Sequence, residues 1–99
     1  MKHFIIELTY TIPAEQFGSL TDEHRAFLDQ GLQQGILLCA GPQVPRTGGM
    51  MVARAESLEA LHAFFANDPY VLRQVATYRY IEFNPVKRQA WLEDWVAGI

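Results

Sequence analysis

The chain is poor in the residues that carry disulfide, metal and cofactor chemistry. Cys39 is the one cysteine among 99 residues, so no disulfide can form within the chain. Its apolar neighbours Ile36, Leu37 and Leu38 lead to the expectation of a buried thiol rather than a nucleophile. The three histidines, His3, His24 and His62, have no short ligand spacing between them and do not make a zinc site with a lone cysteine. No metal and no cofactor is expected. Positive charge is also scarce. Eight Lys and Arg stand against eleven Asp and Glu, a formal charge of −3, and the arginines are scattered, which removes the electrostatic footprint of a nucleic-acid binder. The segment Gly41–Gly49 lacks the lysine and following helix of a phosphate-binding loop. No apolar run is long enough to span a membrane, and the N-terminal residues alternate around Glu7, where a signal peptide needs an uninterrupted apolar stretch. A single thiol and no leader fit a cytoplasmic protein.

What is present is the material of one globular domain, with 49% hydrophobic and 19% charged residues and no low-complexity segment. From His3 to Thr11, Phe4, Ile6, Leu8 and Tyr10 alternate with His3, Ile5, Glu7 and Thr9, the period of a strand that Pro13 ends. Ser19 or Thr21 can cap the next helix, Asp22 and Glu23 suit the positive end of its dipole, and Phe27, Leu28 and Leu32 form its buried stripe. Gly35 closes it. Ile36 to Ala40 reads as a second strand stopped by Gly41-Pro42, and Met50 to Ala55 as a third. Ser57 caps a helix with Leu58, Leu61, Phe64 and Phe65 inward, ending at Asn67, a residue that tolerates a left-handed terminus. Asp68 is held outside that helix by Pro69 and can cap the short helix that Pro69 opens. A fourth strand runs from Thr77 to Asn84.

The order β-α-β-β-α-β is that of the ferredoxin-like α+β fold, with one four-stranded antiparallel sheet and both helices on one face. Apolar residues on both sides of the first strand imply that the bare face meets a second copy, so a homodimer is expected, with larger assemblies open. Residues 1–85 make the domain. Residues 86–99 are expected to form a helical extension with Trp91, Leu92, Trp95, Val96 and Ile99 on one side, docked on its own domain or on the partner.

His24 shares the inward face of Phe27 and Leu28, three and four positions on, at a helix start that disfavours its protonated form. It reads either as a neutral base or as a structural histidine. Asp68 reads as an N-cap, a role compatible with facing His24 through its other oxygen. His3 and His62 read as surface residues. Tyr10, Tyr78 and Tyr80 can orient a substrate through their hydroxyls or serve as sheet packing.

His24, Gly35, Leu37-Leu38-Cys39-Ala40-Gly41-Pro42, Ser57-Leu58-Glu59-Ala60 and Asp68-Pro69-Tyr70-Val71 together resemble the YciI-like, or YCII-related, family from the first strand to about Pro85. The resemblance implies a dimeric α+β barrel, with a histidine and an aspartate, here His24 and Asp68, proposed as the active-site pair. One branch of the family is similar to dehydrochlorinases of chlorinated aromatic breakdown, and the fold is shared with muconolactone isomerases. Where many members carry an arginine three residues before the histidine, this chain has Thr21.

The expected function is therefore a cofactor-independent acid-base enzyme of lyase or isomerase type acting on a small organic ligand. His24 and Asp68 are the candidate catalytic residues, and Gly41, Pro42, Tyr70 and Tyr10 the candidate substrate-binding ones. The alternative is a non-catalytic homodimer that binds a metabolite or regulates a partner in the same cleft.

Overall fold

The computed structural model describes residues 1–99. Four strands, β1 (Lys2–Tyr10), β2 (Leu37–Pro42), β3 (Gly48–Ala55) and β4 (Ala76–Phe83), form one antiparallel sheet in the order β2-β3-β1-β4. Two helices join them, α1 (Leu20–Gln33) after β1 and α2 (Leu58–Phe65) after β3, followed by the short α3 (Pro69–Leu72). This is the ferredoxin-like order expected. The period of two in β1 puts Phe4, Ile6 and Leu8 on the helix side, where they pack with Met51, Ala53, Leu61, Phe65 and Tyr70 as the buried core. Truncating such a side chain to alanine costs about 2–5 kcal/mol.

Local chemistry sets most boundaries. Ser57 caps α2 by accepting from the Ala60 N–H at 3.1 Å. Gly35 takes φ +73° just beyond α1, the left-handed conformation that costs a residue without a Cβ least. Gly48 is obligatory for a different reason: a Cβ there would lie 1.9 Å from the Leu8 carbonyl oxygen.

Several expectations need correction. Thr21 lies inside α1, and Ser19 stands at its N-cap without a side-chain cap bond, its hydroxyl instead donating to Glu23 at 3.1 Å. Leu32 is 44% exposed and buried Gly31 takes its place in the helix stripe. Gly41 and Pro42 extend β2 rather than stopping it, because both pair with β3 across from Met50 and Gly49. Helix α2 ends at Phe65, and the left-handed non-glycine residue is Gln74, with φ 58°, not Asn67. Cys39 is exposed. A register shift between Leu37 and Cys39 sets Cys39 opposite Val52 on the edge strand β2.

His3 is buried, not a surface residue, because the tail folds back over it. The tail is not one helix: it contains a turn at Ala90–Leu92 and a short helix α4 (Glu93–Ala97), and Trp91 and Ile99 are exposed. A helix end leaves carbonyls without partners, and those of α4 are taken by the sheet. Arg54 donates to Trp95 O at 2.7 Å, and His3 Nε2 donates to Val96 O at 3.2 Å. The Arg54 guanidinium also sits over the Trp95 ring at 4.1 Å. The tail thus docks on its own domain, at one end of the open face.

Candidate functional site

The site grows from the junction of α2 and α3. Asp68 sits between Asn67 and Pro69 with extended dihedrals, φ −66° and ψ 127°, as a residue before proline prefers. Its carboxylate is fully buried, and its Oδ1 accepts from the Tyr70 N–H at 3.0 Å, the N-cap bond of α3. The same oxygen accepts from His24 Nδ1 at 2.8 Å. Oδ2 accepts from the Tyr78 hydroxyl. The expected division of one oxygen for the cap and the other for His24 is therefore corrected: one oxygen does both, and the second belongs to Tyr78.

This wiring fixes the imidazole. An oxygen that already accepts from an N–H acts as an acceptor toward the ring as well, so Nδ1 carries the hydrogen, and in the neutral form of the ring the lone pair is on Nε2. No buried side-chain nitrogen or oxygen in the protein lacks a partner, whereas His24 Nε2 has none, so this nitrogen is open to the cleft that His24 lines. The ring plane is set as well, because Tyr70 stacks on it with centroids 3.8 Å apart.

The cleft has a volume of about 570 Å³ and lies between α1, β2 and the β2–β3 loop. Leu8, Leu28, Leu32, Leu38 and Met51 give it apolar walls, and Tyr10, Tyr70, Gly41 and Pro42 all line it, as does Cys39. Thus His24 and the four candidate substrate-binding residues are brought together. Asp68 stands behind His24 and does not reach the cavity. Arg46, from the loop between β2 and β3, closes one edge by donating to Thr21 Oγ1 at 3.1 Å and to the Tyr10 hydroxyl at 3.4 Å. Thr21, Leu28 and Arg46 were not among the candidate site residues. The helical spacing of Thr21 and Leu28 from His24 was the available signal for two of them, whereas the loop carried none for Arg46.

Electrostatics separates the two strand tyrosines from ordinary phenols. Burial, and then the neighbouring Asp68 charge, hold the Tyr78 phenol far above its usual range. The same two causes push Tyr80 up to about 12. Both hydroxyls therefore stay protonated at neutral pH, and Tyr78 serves as a permanent donor to the carboxylate. No group of three or more His, Cys, Asp or Glu side chains is placed to hold a metal ion, and no helix is long and apolar enough to cross a membrane.

Fold and site together define a ferredoxin-like α+β domain with a histidine-lined cleft on the helix side of its sheet. The sequence profile of the YCII-related domain matches residues 2–84, and the chain belongs to that family. Among solved structures it is similar to 5-chloro-2-hydroxyhydroquinone dehydrochlorinase from Burkholderia phenoliruptrix, in complex with 2,5-dihydroxybenzoquinone. The TM-score is 0.60 at 18% identity, over 87% of this chain and 92% of that one, a likeness of fold. No curated protein matches the sequence. The tail that follows residue 84 lies outside the family match.

Proposed function

We propose that the cleft is the active site of a cofactor-independent enzyme of lyase or isomerase type, acting on a small oxygenated ring compound. The observation that carries this reading is the state of His24: Nδ1 is committed to Asp68 at 2.8 Å, and Nε2 opens to an apolar cavity. A neutral imidazole with a fixed tautomer is a general base suited to neutral pH. His24 would take a proton from a hydroxyl or an acidic carbon beside a carbonyl. If chloride sits on a saturated carbon in conjugation with the site of deprotonation, as in the keto tautomer of a chlorinated phenol, the electron pair forms the new double bond as the C–Cl bond breaks, chloride leaves and the reaction is an elimination. If none does, returning the proton at another carbon moves the double bond. Asp68 holds the tautomer and balances the imidazolium that forms in passing. Family membership and the fold shared with a dehydrochlorinase support the same class of chemistry.

The working unit in this reading is a homodimer closed through the open face of the sheet. Ile5, Val52 and Ile81 lie side by side in register there, and the docked tail covers only the end near His3 and Arg54. Glu7 and Arg79 are also paired across the strands, so a two-fold copy can set each against its opposite charge.

The test is turnover of a panel of chlorinated hydroxyhydroquinones and unsaturated lactones by the wild type and by His24→Gln. Catalysis of at least one compound that falls roughly 100-fold or more in the variant is expected. Binding of these compounds without turnover in the wild type would replace the enzyme by a metabolite-binding module.

A further inference from the structure

We infer that Arg46 is an anion-binding residue of the cleft, and that the ligand it selects is a planar ring compound bearing an oxyanion, as a carboxylate or an acidic ring hydroxyl. The inference rests on the active-site reading of the cleft and adds to it the charge of the substrate.

Arg46 is a cation without a countercharge. The ion pairs of the protein are His24 with Asp68 and Arg88 with Glu93. The partners of Arg46 are all neutral: its Nη2 donates to Thr21 Oγ1, its Nε donates to the Tyr10 hydroxyl, and its guanidinium lies 5.8 Å from the centroid of the Tyr10 ring. Those contacts hold the planar fork in place and leave Nη1 without a protein acceptor. A guanidinium stays protonated at any working pH and offers two parallel N–H groups to a carboxylate or enolate.

Its position relative to His24 is set by a short relay. Thr21 Oγ1, which accepts from Arg46, also accepts from the Tyr70 hydroxyl at 3.2 Å, and Tyr70 is the ring stacked on His24. The cation and the proton acceptor therefore line one cleft and are tied through two residues. The other charged residues on its wall, Arg25 and Asp29, are four positions apart on α1 and opposite in sign, so the excess positive charge on the wall itself is that of Arg46, while the Asp68 carboxylate lies behind His24 and is bonded to it. Arg46 is exposed at the rim, so a neutral apolar compound would leave its guanidinium to water and gain nothing from it. An anionic ring compound would lie along Leu28 and Met51 with its oxyanion on Arg46 and its acidic proton toward Nε2.

The test uses benzoate and its neutral isostere benzamide as probes, titrated by calorimetry into wild type, Arg46→Gln, Arg46→Lys and His24→Gln, each first checked for an unchanged melting temperature. Wild type should prefer benzoate by roughly tenfold or more. Arg46→Gln should lose that preference, Arg46→Lys should keep part of it, and His24→Gln should keep it. An equal affinity for both probes in the wild type, no benzoate binding at millimolar concentration, or a preference that survives Arg46→Gln would each overturn the inference. A charge preference that depends on Arg46 in a protein with no turnover of any compound would sustain the anion site while refuting the enzyme.

Discussion

Tyr70 lies face to face on His24, with ring centroids 3.8 Å apart and planes within 3°, and both residues are fixed by the same carboxylate. Asp68 Oδ1 accepts from the backbone N–H of Tyr70 and from Nδ1 of His24, so the cap of α3 and the orientation of the imidazole are one interaction. Pro69 makes this arrangement rigid at little entropic cost, since it presets the first turn of α3. A histidine held along its edge by a carboxylate and across its face by an aromatic ring has few ways to move. The folding of a four-residue helix thereby places the imidazole.

Asp68→Asn should separate structure from chemistry. The amide oxygen can keep the two N–H bonds of Oδ1 while its NH₂ donates to the Tyr78 oxygen, so the fold is preserved with a small loss. The charge that balances an imidazolium is gone, and turnover should fall by roughly 100-fold. Asp68→Ala, by contrast, strands His24 Nδ1, the Tyr70 N–H and the Tyr78 hydroxyl in a buried site, and each stranded group costs about 1–3 kcal/mol. Denaturant unfolding of the two variants beside kinetics is the measurement. Equal loss of stability in both would count against this division of roles.

The strand tyrosines should make the protein alkali-sensitive. The unfolded state releases phenolic protons near pH 10, whereas burial and the Asp68 charge keep Tyr78 protonated well above that and hold Tyr80 to about 12. Below about pH 10 their contribution to stability is fully present. Above it the unfolded state binds fewer protons than the folded one, and stability falls as pH rises. The melting temperature should hold from about pH 7 to 9 and drop beyond about pH 10. A Tyr78→Phe, Tyr80→Phe double variant should melt lower at neutral pH, because Asp68 loses a donor, but with a shallower alkaline decline. Parallel declines in the two proteins would assign the effect to other groups.

The fold was legible because its signals are local and mutually consistent. The alternation of Phe4, Ile6 and Leu8, the Ser57 cap and the Gly35 stop each depend on a few neighbouring residues, and so does the Asp68-Pro69 cap. The His24 and Asp68 juxtaposition came from family resemblance and from helix phase, since nothing in a separation of 44 positions encodes a contact. Arg46 carried no such signal, being brought to the site by loop closure, and Tyr78 was legible as a strand hydroxyl but not as the partner of Asp68, which strand register decides. Cys39 misled for a related reason: an apolar run predicts burial only if the sheet is covered on both faces, and β2 is an edge strand with a register shift.

The tail should contribute to stability through Arg54. Its guanidinium donates to Gly35 O at 2.8 Å and to Trp95 O at 2.7 Å while stacking on the Trp95 ring, so it ties the end of α1 to the C-terminal segment. Deleting residues 87–99 leaves His3 and one face of Arg54 to water, and Trp95→Ala removes the ring alone. The single substitution should cost about 0.5–2 kcal/mol and the deletion more. Differential scanning calorimetry that gave three identical melts would refute a stabilising tail.

The proposed homodimer makes the last prediction, and Ile81 is where to test it. Its side chain is 37% exposed on the open face, opposite Ile5 in the register of β1 and β4. A charge there can be solvated in the isolated chain, which does not pack Ile81 into its core. In a face-to-face pair the same charge would be buried near its own symmetry copy, and an unpaired buried charge is expensive. A stable pair needs about 1,600 Å² of total contact, and the open face with its exposed Ile81, Phe83 and Met50 is the surface offered for it. Light scattering at micromolar concentration should therefore return twice the 11.3 kDa chain mass for wild type and the single chain mass for Ile81→Glu, with circular dichroism unchanged. A wild type found as a monomer would leave the open face to another occupant and remove the dimer from the proposed mechanism. A dimer that survives Ile81→Glu would place the contact on a different surface.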